Sequence, residues 1–148
     1  NFFGWGTSIR TSFSDWILQG LEQQRELTMF SDVFFTPILM NQFIDVITDL
    51  ISIKSDGIFH VAGSERLSKY AFAVQIAEQF GYPTHGILPT SVQDFPFKAA
   101  RPMDMSLSSE KTELCLGTQM PTVAEGLQRL HNLQKDGWQQ GLENALVR

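Results

Sequence analysis

Two cations stand out on a proline-rich stretch of an otherwise acidic chain. Lys98 and Arg101 lie between Pro96 and Pro102, and a guanidinium on a stiffened loop can clamp a phosphate with two parallel N–H donors. The competing reading for Arg101 is a surface ion pair with Asp104, three residues on. The other reactive side chains group poorly. His60, His85 and His131 lie far apart without metal-ligand spacing, so His60 reads as a satisfied strand residue and the other two as exposed. Cys115 reads as a small core residue rather than a nucleophile. Asp45 and Asp49 are one helical turn apart, which a solvated helix face explains better than paired acid–base chemistry. No residue is assigned a catalytic role, and no metal site is expected.

Composition narrows the classes further. The 148 residues carry 11 Lys+Arg against 16 Asp+Glu, a formal charge of -5. No basic stripe is available to follow a phosphate backbone, so nucleic acid is not an expected partner. At 43% hydrophobic and 18% charged the chain can bury a core. One cysteine excludes an internal disulfide framework. No apolar run approaches the roughly 20 residues of a membrane span, and no secretory signal pattern is visible. A cytoplasmic globular chain without a membrane partner is the expectation. The chain starts at Asn1 with an aromatic, glycine-rich segment that reads like protein interior.

The elements that must position the cationic loop follow from periodicity. A first helix is expected over 12–25, with Phe13, Trp16, Ile17 and Leu21 inward and Asp15 outward. Residues 27–30 form a strand candidate, and 33–36 extend up to Pro37. A second helix fills 38–53, its buried stripe made of Leu39, Phe43, Ile47, Leu50 and Ile51. The near-continuous apolar run beginning at Ile58 predicts a strand over 58–62 covered on both faces. Ser68 caps a third helix over 69–80, closed by Gly81. A short strand at 86–88 precedes the proline-rich loop. Ser109 caps a brief helix ending at Gly117, and Thr122 with Glu125 has capping-box spacing for another. Leu142 and Leu146 mark a helical tail over 138–148. Alternation of helices and strands places the chain in the α/β class. The strands are too few, however: a buried strand at 58–62 needs two neighbours, and the sequence offers no adjacent partner.

No G-x-G-x-x-G dinucleotide fingerprint and no G-x-x-x-x-G-K-[ST] phosphate loop is present in these residues. Neither tyrosine begins a Tyr-x-x-x-Lys motif, since Val74 follows Tyr70 at that spacing and Gly86 follows Tyr82.

Ala100-Arg101-Pro102, Leu107 and Ser109-Glu110-Lys111 together resemble the RP…L…K element of extended short-chain dehydrogenases acting on nucleotide sugars. More narrowly the chain is similar to the dTDP-4-dehydrorhamnose reductase family. Asn1-Phe2-Phe3-Gly4 resembles the strand end after that family's catalytic region, and the segment from Ser31 to Pro37 its D-Q-x-x-x-P-T/T-P element. The segment from Gly57 to Gly63 resembles its G-x-Y-H-x-x-G strand, and that from Ser68 to Ala73 its S-x-Y-x-x-A helix start.

The resemblance implies a C-terminal substrate-binding lobe of such an enzyme over 1–117, with 118–148 as a helical extension of the same domain. It implies few short strands with about five helices, and it implies that the dinucleotide-binding Rossmann half lies elsewhere. In the family, the strand matching 58–62 joins the large sheet of that half. By resemblance, Arg101 contacts the substrate diphosphate, with Lys98 nearby. Thr36 and Pro37 sit beside the nucleotide, and Asn1 and Phe2 line the nicotinamide–sugar junction. NAD(P)H is the implied cofactor of the intact family enzyme, and none is expected for this chain alone. The implied partners are a nucleotide sugar and either the N-terminal half or a second copy. The alternative is a stand-alone, non-catalytic binding or assembly module derived from the same family, which also includes a regulatory subunit of methionine adenosyltransferase.

Overall fold

The computed structural model describes residues 1–146. Strand β1 (Phe2–Phe3) leads into helix α1 (Phe13–Glu22), then β2 (Leu27–Phe30), β3 (Phe34–Phe35), β4 (Ile38–Leu39) and α2 (Met40–Ser52). After β5 (Leu67–Ser68) come α3 (Lys69–Phe80), β6 (Ile87–Thr90), a 3-10 turn (Val92–Asp94), α4 (Glu110–Leu116), α5 (Val123–Lys135) and α6 (Trp138–Leu146). Six α-helices are thus present among the described residues, each at a place where periodicity or capping signals predicted one. The last two residues of the expected tail helix lie outside the described ones.

The strands form three separate pairs: β1 with β4 and β2 with β6 in parallel, β3 with β5 antiparallel. Helix α3 packs on α1, α5, β2 and β6, and is the centre of the core. Phe72, Ala73, Ile76 and Ala77 are fully buried there, against Ile17, Leu27, Leu39, Val123, Leu127 and Leu130. Burial of this apolar surface is the main stabilising term. Val123, Leu127 and Leu130 make α5 part of the same core.

The caps fall where side-chain chemistry requires them. Ser12 and Thr122 both form capping boxes, with Asp15 and Glu125. Gly81 and Gly117 end α3 and α4 in the left-handed conformation that glycine adopts without a Cβ clash. Ser109 departs from expectation and makes no cap bond to α4. Its hydroxyl accepts from Ala62 N at 2.9 Å and lies 3.3 Å from Ala62 O, so it fastens the chain 47 residues away.

Several expected placements are corrected. Residues 58–62 form no strand, and Ile58 is 80% exposed rather than covered. Lys111 Nζ donates to Ile58 O at 2.7 Å and Thr112 Oγ1 to His60 O at 2.6 Å. Side chains from α4 therefore bond the carbonyls of Ile58 and His60 along one edge. Among the described residues, the backbones of Phe59 and Val61 have no hydrogen-bond partner. His60 is exposed instead of packed. His131 is half-buried against Phe80, with ring centroids 4.7 Å apart, and burial, helped by Lys135, lowers its pKa.

Helix α2 starts two residues late because Ile38 and Leu39 pair with β1. Ile51, expected inside, is 70% exposed, since Val46 and Leu50 are the residues of α2 that reach the interior. In α1 the roles of Asp15 and Trp16 are reversed: Asp15 is buried and Trp16 is 40% exposed. Cys115 is exposed because α4 turns Thr112 inward. No helix among the described residues is long and apolar enough to cross a membrane.

Candidate functional site

Arg101 sits on a loop held in place from both ends. At its start, the Asp32 carboxylate accepts from Ser91 Oγ at 2.6 Å and from Val92 N at 2.9 Å. These bonds, the hydroxyl's first, lower the pKa of Asp32. At its end, Phe34 N donates to Met103 O at 2.7 Å, and Met105 N donates to Phe34 O at 2.9 Å. The loop thereby makes a single parallel bridge to β3 between Asp104 and Phe34, and Leu107 N donates to Thr36 Oγ1 at 3.1 Å.

The ion-pair alternative for Arg101 is resolved by Arg66. Its Nε and Nη2 donate to Asp104 Oδ2 at 3.0 and 2.8 Å, and its guanidinium stacks 3.8 Å above the Phe34 ring. Asp104 also accepts from the backbone and hydroxyl of Ser106. Hydrogen bonds from Ser106 first, then Arg66, lower the Asp104 pKa to about 2. Arg101 and Lys98 pair with no carboxylate among the described residues. Both are exposed.

The Arg101 guanidinium lies 5.1 Å from the centroid of Phe97. Phe97 packs with Phe95 and Phe30, and Phe95 and Phe97 bound an open cavity of about 280 Å3 with Val92, Ala100, Arg101 and Met103. An unpaired guanidinium beside aromatic faces suits a ligand with an anionic group and a flat or apolar part.

The remaining site residues lie along the segment joining β3 to β4. Thr36 is 5% exposed, and its hydroxyl accepts the Leu107 amide, so it positions the cationic loop. Pro37 is fully buried. Asn1 O accepts from Ile38 N at 3.1 Å, which brings Asn1 and Phe2 alongside the residue following Pro37. Phe2, 48% exposed, meets Phe43 at a ring separation of 4.4 Å and borders a second cavity of about 470 Å3 with Phe3, Trp5, Arg10, Phe13 and Met40. The two cavities share no lining residue.

Sequence reasoning missed Lys69. It opens α3 with its ammonium 3.4 Å from the Phe35 centroid and 4.8 Å from that of Phe13. Burial lowers its pKa to about 8. No local signal marks it, because Phe13 and Phe35 come from distant segments. Among the described residues, no three His, Cys, Asp or Glu side chains gather as a metal ion requires.

A model of the RmlD substrate binding domain matches residues 5–135. The chain belongs to that family. The spore coat polysaccharide biosynthesis protein SpsK of Bacillus subtilis is 31% identical over 116 residues, covering 72% of this chain and 40% of that protein. The solved dTDP-4-dehydrorhamnose reductase ortholog of Clostridium acetobutylicum superposes with a TM-score of 0.79 at 25% identity, over 90% of this chain and 46% of that one. The Bacillus anthracis reductase, solved in complex with NADP, gives 0.78 at 24% identity, over 88% and 45%. The chain thus spans less than half the length of these relatives. Its architecture is that of the RmlD substrate-binding domain: a small α/β unit of helices around short strand pairs.

Proposed function

We propose that this RmlD-type domain binds the nucleotide sugar of a dTDP-4-dehydrorhamnose reductase-like enzyme, with Arg101 opposing the diphosphate and Lys98 adding positive charge. The observation that carries this reading is the unpaired Arg101 beside Phe97, on a loop that Arg66, Asp104 and Thr36 fix to β3. The aromatic group of Phe30, Phe95 and Phe97 offers a stacking face for a base or sugar. Thr36 and Pro37 act by placing the loop, while Asn1 and Phe2 stand at the opposite end of the β3–β4 segment.

Hydride transfer requires groups that these residues do not supply. In the intact enzyme a tyrosine and lysine of the N-terminal half, with NAD(P)H, would reduce the sugar carbonyl. The exposed side chains of Phe2, Met40, Ile44 and Ile51, with the open edge at Phe59 and Val61, support a surface made to be covered by that half. The 148 residues alone should then show no NADPH turnover with a dTDP-4-keto-6-deoxy sugar.

Calorimetric titration with dTDP is the direct test. The Arg101→Ala chain should bind about tenfold or more weakly, the loss expected for one charge-assisted contact. Equal affinity in both chains would remove Arg101 from the diphosphate site. The second reading, a stand-alone assembly module, rests on the same exposed face. Light scattering separates the two: a concentration-independent monomer argues against self-association.

A further inference from the structure

The segment between β1 and α1 is built as a flap. Buried Asp15 gathers its two ends, since Oδ2 accepts Gly6 N at 2.7 Å and Ser12 N at 2.9 Å. The base is so narrow that a Cβ on Gly6 would stand 2.5 Å from Arg10 O and from that same carboxylate oxygen. Beyond the base, Thr7 N donates to Arg10 O at 3.1 Å and Arg10 N to Thr7 O at 3.0 Å, closing a small turn whose Ser8, Ile9 and Arg10 are exposed. Among the described residues, one side chain outside the flap bonds its tip. Glu143 of α6 accepts Ser8 N on one carboxylate oxygen and Ser8 Oγ, at 2.6 Å, on the other. That clamp ties the flap to a helix lying beyond the family-matched residues 5–135.

Arg10 and Thr11 carry the flap to the wall of the cavity beside Phe2, and Arg10 has no carboxylate partner among the described residues. An exposed turn bonded mainly to itself opens at small cost, so a charge-assisted clamp at its tip is enough to bias where it rests. With the diphosphate at Arg101 and a base on Phe95 and Phe97, the cavity beside Phe2, which shares no lining residue with theirs, is left for the sugar. We propose that Glu143 is a positioning residue, a role that rests on the nucleotide-sugar reading: through Ser8 it holds the flap, and with it Arg10, against the sugar end of that site. The guanidinium then presents its donors to the sugar oxygens.

Titration of dTDP and of dTDP-glucose into the parent, Glu143→Ala and Glu143→Gln chains tests this role. The ratio of the two affinities reads the sugar end alone. dTDP-glucose should bind the parent more tightly than dTDP, and Glu143→Ala should lower that ratio about three- to tenfold, the loss expected for a net hydrogen bond. Glu143→Gln should restore it, because the amide oxygen still accepts Ser8 N and the amide NH2 donates to Ser8 Oγ. Amide exchange at Ser8 should speed in Glu143→Ala and stay at the parent rate in Glu143→Gln. A parent ratio of one, a ratio unchanged in Glu143→Ala or not restored in Glu143→Gln, or Ser8 exchange unchanged in Glu143→Ala each overturns the positioning role while dTDP binding stands. A parent chain that binds neither compound overturns the nucleotide-sugar reading and this role with it.

Discussion

Gly63 approaches Pro37 so closely that a Cβ on it would stand 2.1 Å from the Pro37 carbonyl oxygen. That contact locks the end of the 58–62 segment onto the turn between β3 and β4, next to Thr36. The backbone here is held by lack of space, and only a missing side chain permits it.

Gly63→Ala should therefore destabilise the chain by about 1–3 kcal/mol, the range for forced overpacking. Gly141→Ala, with open space around its Cβ position, is the control and should be neutral or stabilising. Urea denaturation of the two variants measures the difference. Equal midpoints would mean that the 58–63 segment is not fastened to Pro37 in solution.

Leu50 and Ile51 are neighbours with opposite surroundings, 8% and 70% exposed. Leu50→Ala should cost about 2–5 kcal/mol, as core truncations do. Ile51→Lys should stay within about 0.5 kcal/mol of the parent. Chemical denaturation with light scattering tests both claims. If Ile51→Lys unfolds the chain, the outer face of α2 is buried in solution, by another copy or by a different packing.

The Arg66–Asp104 pair governs the shape of the Arg101 loop, so Asp104→Ala should speed amide exchange at Met105 without unfolding the core. Acid should do the same. Asp104 has a depressed pKa, so its contribution is complete above the ordinary value of 3.8 and is lost as pH falls through about 2. Because both partners are about half exposed, the effect should be confined to the loop and weakened by salt. Amide protection factors measured at pH 5 and pH 1.5 report it. Loop exchange that is unchanged in Asp104→Ala would show that the backbone bonds to Phe34 suffice.

Lys69 imposes the opposite dependence. Its pKa falls from 10.5 to about 8 on folding, so the unfolded chain binds more protons between those values and stability rises with pH across that window. Below about 8 the penalty is fully present. Lys69→Met, which keeps the stem against Phe35, should raise Tm at pH 7 by about 2–4 °C and abolish the rise between pH 8 and 10.5. This magnitude already allows for an ammonium that still reaches water, where only part of the shift converts into stability. A parent chain with flat stability over that window would show Lys69 to be solvated.

What could be read in the sequence was whatever depends on neighbours along the chain. The capping box at Thr122 and the glycine stops at Gly81 and Gly117 are local bonds with fixed spacing, and they fall where their residues place them. The family was legible for the same reason, in short ordered motifs around Arg101 and Pro37. Periodicity located α2 but not which of its faces is covered, because Ile44 and Ile51 are as apolar as Leu50.

Tertiary structure alone decided the remainder. The run at 58–62 has the composition of a buried strand, yet α4 satisfies one edge through Lys111, Thr112 and Ser109 and no strand meets the other among the described residues. Arg101 and Arg66 are alike as residue types. Only packing gives Asp104 to Arg66 and leaves Arg101 without a carboxylate partner among the described residues. Lys69 acquires its character from two rings, 56 and 34 residues earlier in the chain, that folding alone brings to its ammonium. Sequence set the local bonds, whose geometry is fixed by spacing. Competition among distant groups for the same partner depends on where the whole chain places them.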